Sequence, residues 1–203
     1  MKERPILFSA PMVRAILEGR KTQTRRVIKL ADGSLPSDED IPVSGENYVM
    51  DFSRHFPFWK QLDCPKGLPG DRLYVRENYR FSSAHDSLKP SLVPFGDAVE
   101  YFADTTAKHY LEGRLRPSIH MPRWASRITL EITGVRVERL NDISEEGAQA
   151  EGVDGEKEAV ERGATWFDKP RRAYRFLWES INGEGSWDLN PWVWVIEFKR
   201  VQP

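Results

Sequence analysis

The chain has a single cysteine, Cys64, among its 203 residues, so an internal disulfide is excluded. Its four histidines are isolated from one another, and no Cys/His cluster has the spacing of a zinc site. No apolar run reaches the length of a membrane span or resembles the core of a signal peptide. We therefore expect a soluble, cytoplasmic protein that uses no metal or other cofactor and contacts no membrane.

Charge of either sign is not in excess, because 30 basic residues meet 31 acidic ones and the net charge is −1. No global basic field attracts nucleic acid, so any anion must be bound locally. A hydrophobic fraction of 39%, with seven tryptophans and ten phenylalanines, is enough to build a core. We predict one domain over residues 1–203, with turn-rich insertions at about 31–69 and 82–127 that carry no sustained hydrophobic period.

Several short strands with helices between them are indicated by the hydrophobic pattern. In "RITLEITGVRVERL", residues 127–140, every second residue is apolar up to Ile132, and the alternation then shifts by one to Val135. A glycine at such a shift, here Gly134, is typical of a β-bulge, which bends a strand around a barrel. The predicted fold is α+β, with a small β-barrel flanked by helices.

The segment "LEGRKTQTRRVIK", residues 17–29, contains a run of cations with no acid among them: Arg20, Lys21, Arg25 and Arg26. Lys21 follows Gly19, where a helix is predicted to end, and cations there can simply interact with the last carbonyls. Crowding by like charges, however, lowers the pKa of a lysine. Thr24 offers a hydroxyl nearby, so Lys21 and Thr24 form a candidate pair of base and nucleophile.

Two carboxylates occupy unusual places. Glu151 lies at the end of a short helix predicted in "SEEGAQAEG", where the negative end of the helix dipole disfavours an acid. Glu77 falls in the apolar phase of the strand "GDRLYVRENYRF", so it must be paired, protonated or facing a cavity. An ordinary surface position remains the alternative for both.

Trp124 lies in the irregular basic stretch "SIHMPRWASR", outside any apolar period. There it could stack on a nucleotide base, with Arg123 contacting a phosphate. The alternative is that Trp124 packs inside the protein.

Three segments carry a resemblance to a known family: "ILEGRKTQTRR", "GDRLYVRE" and the closing "WVIEFKRV". With them the chain resembles the ASCH family, relatives of the PUA domains of RNA-modifying proteins. Because it also has "MPRWASRITL" and "SEEGAQAEG", it looks like the longer members from phages and prophages. The resemblance implies a small PUA-like barrel, a cleft lined by the lysine-threonine segment, and RNA or a modified nucleoside as partner.

Small bacterial members of this family hydrolyse N4-acetylcytidine to cytidine and acetate with a lysine, a threonine and a glutamate. The resemblance places these roles on Lys21 as base, Thr24 as nucleophile and Glu151 as the residue that orients Lys21 or shuttles protons. The oxyanion would be stabilised by Arg20 or by backbone amides near Gly19. Further substrate contacts are expected from Arg20, Arg25, Arg26, Glu77, Arg123 and Trp124.

Three other functions are compatible with the same residues. A non-catalytic module would hold single-stranded RNA through phosphate contacts of the basic run. A metal-independent ribonuclease would use Lys21 and a carboxylate, with the RNA 2′-hydroxyl in place of Thr24. A protein-interaction module is the remaining possibility, and the sequence does not indicate an oligomeric state.

Overall fold

The computed structural model describes residues 1–30, 32–41, 48–51, 58–61, 63–104, 110–153 and 169–201. Within these ranges no helix has the length and apolarity that a membrane crossing requires. The strands are β1 Glu3–Leu7, β2 Gln23–Val27, β3 Tyr48–Asp51, β4 Phe58–Gln61, β5 Arg72–Arg76, β6 Tyr79–Arg80, β7 Glu100–Tyr101, β8 Thr129–Arg139 and β9 Trp192–Val201. The helices are α1 Ala10–Leu17, α2 Glu145–Ala150 and α3 Pro170–Asn182, with short 3₁₀ turns between elements.

Five strands form the main sheet in the order β1-β5-β8-β9-β2. Strands β1 and β5 pair in parallel, and the other neighbours are antiparallel. The register of β8 against β9 shifts between Ile132 and Gly134, which confirms the predicted irregularity at this glycine. The α+β class is confirmed. The sheet is not closed, because its outer strands β1 and β2 do not pair in the described residues, so the barrel remains a prediction.

Both faces of the sheet are covered. Strand β9 shows this best, because Trp194 and Ile196 face a cluster that includes Val13 of α1, whereas Val193 and Val195 face a cluster formed with α2 and α3. Every residue from 192 to 196 is buried, as expected for a strand between two layers. Most of α1 therefore packs on one face of the sheet, and most of α2 and α3 packs on the other.

Where the structure describes it, the predicted insertion at 82–127 packs on residues just before it to form a small separate core. Tyr79, Phe81 and Met121 are buried there, with Trp124 packed against them. The Trp124 ring stacks on Phe81 with a centroid distance of 5.5 Å and an interplanar angle of 17°. Trp124 thus takes the packing role that was the alternative to base stacking.

The ends of α1 and α2 meet at one place. Gly19 and Gly152 both have positive φ angles, of 77° and 87°, as predicted for residues that end helices. The amide of Thr22 donates to the carbonyl of Ala150 at 2.9 Å, which ties the segment after α1 to the end of α2. A Cβ at Gly152 would lie 2.8 Å from the Cβ atoms of Ala15 and Lys21. The absence of a side chain at Gly152 therefore allows the close approach that buries Lys21.

Replacing Gly152 by alanine should destabilise the protein by about 3 kcal/mol, from about 1–2 kcal/mol for the left-handed backbone and the rest for overpacking. Gly33→Ala is the matched control, because Gly33 has a similar φ of 85° but no atom within 4 Å of the added Cβ. Urea denaturation of both variants measures the difference. Equal losses of stability would show that the close contact at Gly152 has no energetic consequence.

Candidate active site

The carboxylate of Glu151 lies between two buried cations. Lys21 Nζ is 2.9 Å from Glu151 Oε2 and also donates to the Glu151 carbonyl at 2.7 Å. Arg25 Nη1 is 3.2 Å from Glu151 Oε1. Lys21, Arg25 and Glu151 are each at most 3% exposed, and Thr24 is 1% exposed. The structure thus brings together the three residues for which catalytic roles were predicted, together with Arg25.

A second carboxylate completes the cluster, since Arg25 Nη2 is 2.9 Å from Glu138 Oε2 on β8. Arg25 thus has two carboxylate partners, and Glu138 is also paired with Arg136. Burying a charge is strongly unfavourable unless it is paired and hydrogen-bonded. The pairing with Glu138 lets Glu151 interact with Lys21 without leaving Arg25 dependent on one shared carboxylate.

Burial lowers the pKa of Lys21 below its ordinary value, and the neighbouring Arg26 and Arg25 lower it further. The charge of Glu151 and its hydrogen bond raise the pKa of Lys21, but the net shift remains downward. The ammonium also lies 5.3 Å from the centre of the Phe8 ring, an apolar neighbour on one side. The sequence indicated crowding by like charge, and the structure adds burial as the larger cause. Lys21 therefore loses its proton at a lower pH than an exposed lysine does.

A cavity of about 50 Å³ lies next to this cluster. Its lining includes Thr24 and Arg25 of β2, Glu151 after α2, and Tyr174 and Trp178 of α3. A water molecule needs roughly 10–15 Å³ of such space, so the cavity has room for a few waters or for a group of about three heavy atoms. Lys21 does not line the cavity but bonds to Glu151, which does. Between Lys21 Nζ and the Thr24 hydroxyl, both within the described ranges, the structure has no hydrogen bond.

Two buried donors on the lining residues have no acceptor among the described atoms: Arg25 Nε and Trp178 Nε1. Their residues are 3% and 5% exposed. A buried polar group without a partner costs about 1–3 kcal/mol, so such groups are rare in folded proteins. An acceptor oxygen within reach of either nitrogen would remove that cost.

The groups expected to stabilise an oxyanion are already engaged. The amide of Gly19 donates to Ile16, and those of Arg20 and Lys21 donate to the carbonyl of Ala15. The Arg20 guanidinium contacts Glu18 and donates to the Gly152 carbonyl at 2.8 Å. Arg20 does not line the cavity. These contacts oppose the expectation that Arg20 or amides near Gly19 bind an oxyanion.

Arg26 lines the cavity, but its guanidinium also contacts residues that are not part of the lining. Its Nη2 donates to the Leu7 carbonyl at 3.1 Å, and its Cζ lies 5.5 Å from the centre of the Phe8 ring. Arg26 therefore remains a candidate for substrate contact, together with Arg25.

Glu77 is buried, as its place in the apolar phase predicted, but it belongs to another cluster. Arg127 donates to both of its carboxylate oxygens, at 2.9 and 3.1 Å, and also contacts Asp104. Burial raises the pKa of Glu77, and the Arg127 guanidinium opposes this shift. No contact joins Glu77 to Lys21 or Glu151 within the part of the chain that the structure describes, so the two buried carboxylates do not share a site.

Arg123 and Trp124 are also placed apart from the cavity. Arg123 donates to both carboxylate oxygens of Glu3 at 2.7 Å, and Trp124 packs on Phe81. The predicted role of these two residues in substrate binding therefore gains no support from their contacts.

The sequence did not single out Glu138 or the polar atoms of Tyr174 and Trp178. Both aromatic residues are buried in the hydrophobic cluster that α3 forms with the sheet. The available signal was that tyrosine and tryptophan carry a polar atom that needs a partner when buried. Burial, followed by the charge of Glu151, raises the pKa of Tyr174 well above its ordinary value, so its hydroxyl keeps its proton. Nothing in the local pattern around Glu138 indicated that it pairs with Arg25.

Glu151→Ala should destabilise the protein by about 3–5 kcal/mol, because it leaves the buried Lys21 without an anion. Glu18→Ala is the matched control, since Glu18 also follows a helix and pairs with a neighbouring cation, but its side chain is 49% exposed. We expect Glu18→Ala to stay within about 0.5 kcal/mol of wild type in urea denaturation.

The loss in Glu151→Ala should shrink as pH rises from 6 to 9. Its Lys21 would have a pKa far below the unfolded value of about 10.5, so folding releases a proton and becomes more favourable at higher pH. A loss that is small or independent of pH would contradict the buried ion pair.

Comparison with known proteins leaves this site without an assigned relative. A scan against protein-family models found no match, and searches of curated proteins and of solved structures found none either. The relation to the ASCH family is therefore a proposal that depends on the three quoted segments and on the cluster around Lys21.

Proposed function

We propose that the protein is an ASCH-type, metal-independent amidohydrolase that removes the acetyl group from N4-acetylcytidine, free or within RNA. The closed PUA-like barrel is part of this proposal. One observation carries it: the buried Lys21 bonds to Glu151 beside a cavity that Thr24 and Glu151 line. The chemistry requires a base of lowered pKa, a hydroxyl nucleophile and a group that fixes the base.

Glu151 is the positioning residue for Lys21. A neutral amine has two N–H bonds and one lone pair, and the two N–H bonds can serve the carbonyl and the carboxylate oxygen of Glu151. The lone pair is then the free position of the nitrogen and can accept a proton. Since no hydrogen bond joins Lys21 and Thr24, the proton transfer requires a rotation of the Thr24 side chain or a bridging water in the cavity.

The reaction proceeds as two acyl transfers. Lys21 takes the proton of the Thr24 hydroxyl, and the oxygen attacks the acetyl carbonyl to form a tetrahedral intermediate. The carbon–N4 bond then breaks, the Lys21 ammonium returns the proton to N4, and cytidine leaves an acetyl ester on Thr24. Water, deprotonated by Lys21, hydrolyses the ester to acetate and restores the Thr24 hydroxyl.

The oxyanion of each tetrahedral intermediate needs hydrogen-bond donors that are already oriented. Arg25 Nε and Trp178 Nε1 are the two unpartnered donors on residues that line the cavity. We assign the oxyanion to them in place of Arg20 and the amides near Gly19. Arg25 is fixed by Glu138 and Glu151, which limits the reorganisation that charge development would otherwise require.

The volume of the cavity determines which part of the substrate it holds. About 50 Å³ fits the three heavy atoms of an acetyl group but not a pyrimidine base. Ile181 and Asn182 are exposed members of the lining, so the cavity opens beside the end of α3. The base and ribose are therefore placed at this opening, outside the buried part.

The burial of the cations in the basic run favours an amidohydrolase over a phosphate-binding module. Phosphate contacts need accessible cations, but Lys21 and Arg25 are 2% and 3% exposed and are paired with carboxylates. Of the basic run, Arg20 has the more exposed side chain, at 37%. The run is thus better suited to chemistry inside the protein than to binding a strand, and a ribonuclease remains an outcome of the test below.

Wild-type protein should release acetate from N4-acetylcytidine, whereas Lys21→Gln and Thr24→Val should each lose at least about 100-fold in kcat/KM. Glutamine retains a donor for Glu151 without a base, and valine retains the shape of threonine without its hydroxyl. Because Lys21 must be neutral and burial lowers its pKa, kcat/KM should rise with pH and level off below pH 10.5. Chromatographic separation of cytidine and acetylcytidine measures the rate.

Two controls accompany these variants. Lys29→Ala removes an exposed lysine near the same strand and should keep full activity, and Thr24→Ser keeps a hydroxyl and should keep measurable activity. Full activity in both Lys21→Gln and Thr24→Val would falsify the mechanism. Cleavage of unmodified single-stranded RNA without release of acetate, with or without EDTA, would instead support the ribonuclease.

Trp178→Phe should lower kcat by about 100-fold with little change in KM, because it removes one oxyanion donor and keeps the aromatic packing. Trp187→Phe is the control, since Trp187 lies in the same hydrophobic cluster but does not line the cavity. If both variants lose activity equally, the effect comes from packing and the Trp178 Nε1 donor has no role in the reaction.

A further inference from the structure

A groove lined by residues 87–91, residues 114–117 and His120 lies outside the site around Lys21. Its volume is about 680 Å³, within the roughly 300–1,000 Å³ of small-molecule sites. Residues 87–91 form one wall, and residues 114–117 with His120 form the other. It shares no lining residue with the cavity at Thr24 and Glu151.

The two walls are clamped together by Arg116. Its guanidinium donates to the carbonyls of His85 at 2.6 Å and Leu88 at 3.1 Å, on the opposite wall. Its backbone pairs in both directions with Tyr79, and the amide of Arg114 donates to the Asp86 carboxylate. The groove is therefore formed before any ligand binds, which lowers the entropic cost of binding.

The charge of the groove is positive. Lys89 on one wall and Arg114 on the other are exposed, and neither side chain has a hydrogen bond or ion pair with the described residues. No carboxylate is among the lining residues. Asp86, the nearby acid, already accepts from the Arg114 amide and lies 3.9 Å from Arg116. Two uncompensated cations thus face the same space in a protein whose net charge is −1.

A second observation points to a ligand with acceptor oxygens. Arg116 is 3% exposed and lines the groove, yet its Nε has no hydrogen-bond partner among the described atoms. The lining also includes the hydroxyls of Ser87 and Ser91, which can donate to an anion. Leu88, Pro90 and Leu115 supply apolar surface beside these donors. These donors and apolar side chains suit an anion that also has an apolar part. The groove is too large to be filled by an inorganic ion alone.

We propose that this groove is a second ligand site that binds a nucleotide-sized organic phosphate. The phosphate contacts Lys89 and Arg114, and the apolar surface contacts the base and sugar. The source of the phosphate is either a free nucleotide or a nucleotide within single-stranded RNA, since both present the same groups. This site does not depend on the amidohydrolase activity, because it shares no residue with that mechanism.

The test measures binding of cytidine monophosphate, cytidine, inorganic phosphate and an eight-residue oligocytidylate by isothermal titration calorimetry. Wild-type protein should bind the monophosphate or the oligomer at least about tenfold more tightly than cytidine and inorganic phosphate. Lys89→Glu with Arg114→Glu should weaken that binding about tenfold or more. Lys29→Glu with Arg200→Glu is the charge-matched control, since both residues are exposed and lie outside the groove.

The salt dependence of the binding constant helps to distinguish a free nucleotide from a nucleotide within single-stranded RNA. For a single strand, log K falls by about 0.7 per decade of salt for each phosphate neutralised, so the one phosphate held by Lys89 and Arg114 predicts a slope of about −0.7 for the oligomer and a shallower one in the groove variant. Binding of the oligomer without the monophosphate assigns the site to RNA. Equal weakening in the two charge-matched variants, unchanged binding in the groove variant, or equal binding of cytidine and its monophosphate would overturn the proposal.

Discussion

The buried ion pair of Lys21 and Glu151 determines much of the arrangement around it. The residues are 130 positions apart, so their pairing requires the ends of α1 and α2 to meet. Gly152 permits that approach, and the Thr22 amide fixes it by donating to Ala150. Glu151 lies at the negative end of α2, where its charge is unfavourable alone. Lys21 and Arg25 compensate for this placement and make the position of Glu151 dependent on both cations.

Stability alone does not account for such a cluster. Replacing a buried ion pair by well-packed apolar residues is often neutral or stabilising, because desolvation offsets the attraction between the charges. Here Lys21, Arg25, Glu138 and Glu151 form one paired cluster, and Arg25 and Glu151 of this cluster line a small cavity. Polar groups held in this way cost free energy in the empty protein, and a substrate oxygen would recover part of it. The arrangement is thus more consistent with catalysis than with a purely structural role.

Local sequence patterns predicted features of the helices and strands, whereas the side-chain pairs of the site depend on contacts between residues far apart in the sequence. The irregularity at Gly134 and the helix ends at Gly19 and Gly152 follow from properties of a few adjacent residues. The pairing of Arg25 with Glu138 joins residues 113 positions apart, and no local pattern encodes it. The same holds for the separation of Glu77 from the site, because its burial was predictable but its partner Arg127 was not. The residues proposed as catalytic were located through the resemblance of a contiguous segment, whereas the Trp178 Nε1 donor on α3 required the packed structure.

Charge density along the sequence differs from charge density on the surface. The basic run draws attention because its cations are adjacent, yet Lys21 and Arg25 are buried against carboxylates. Lys89 and Arg114 are 25 positions apart and lie in separate turn-rich stretches, yet they face one groove without an acid in its lining. An anion in solvent responds to accessible charge and is screened from paired charge. The contiguous run is therefore suited to proton transfer, and the dispersed cations are suited to holding phosphate.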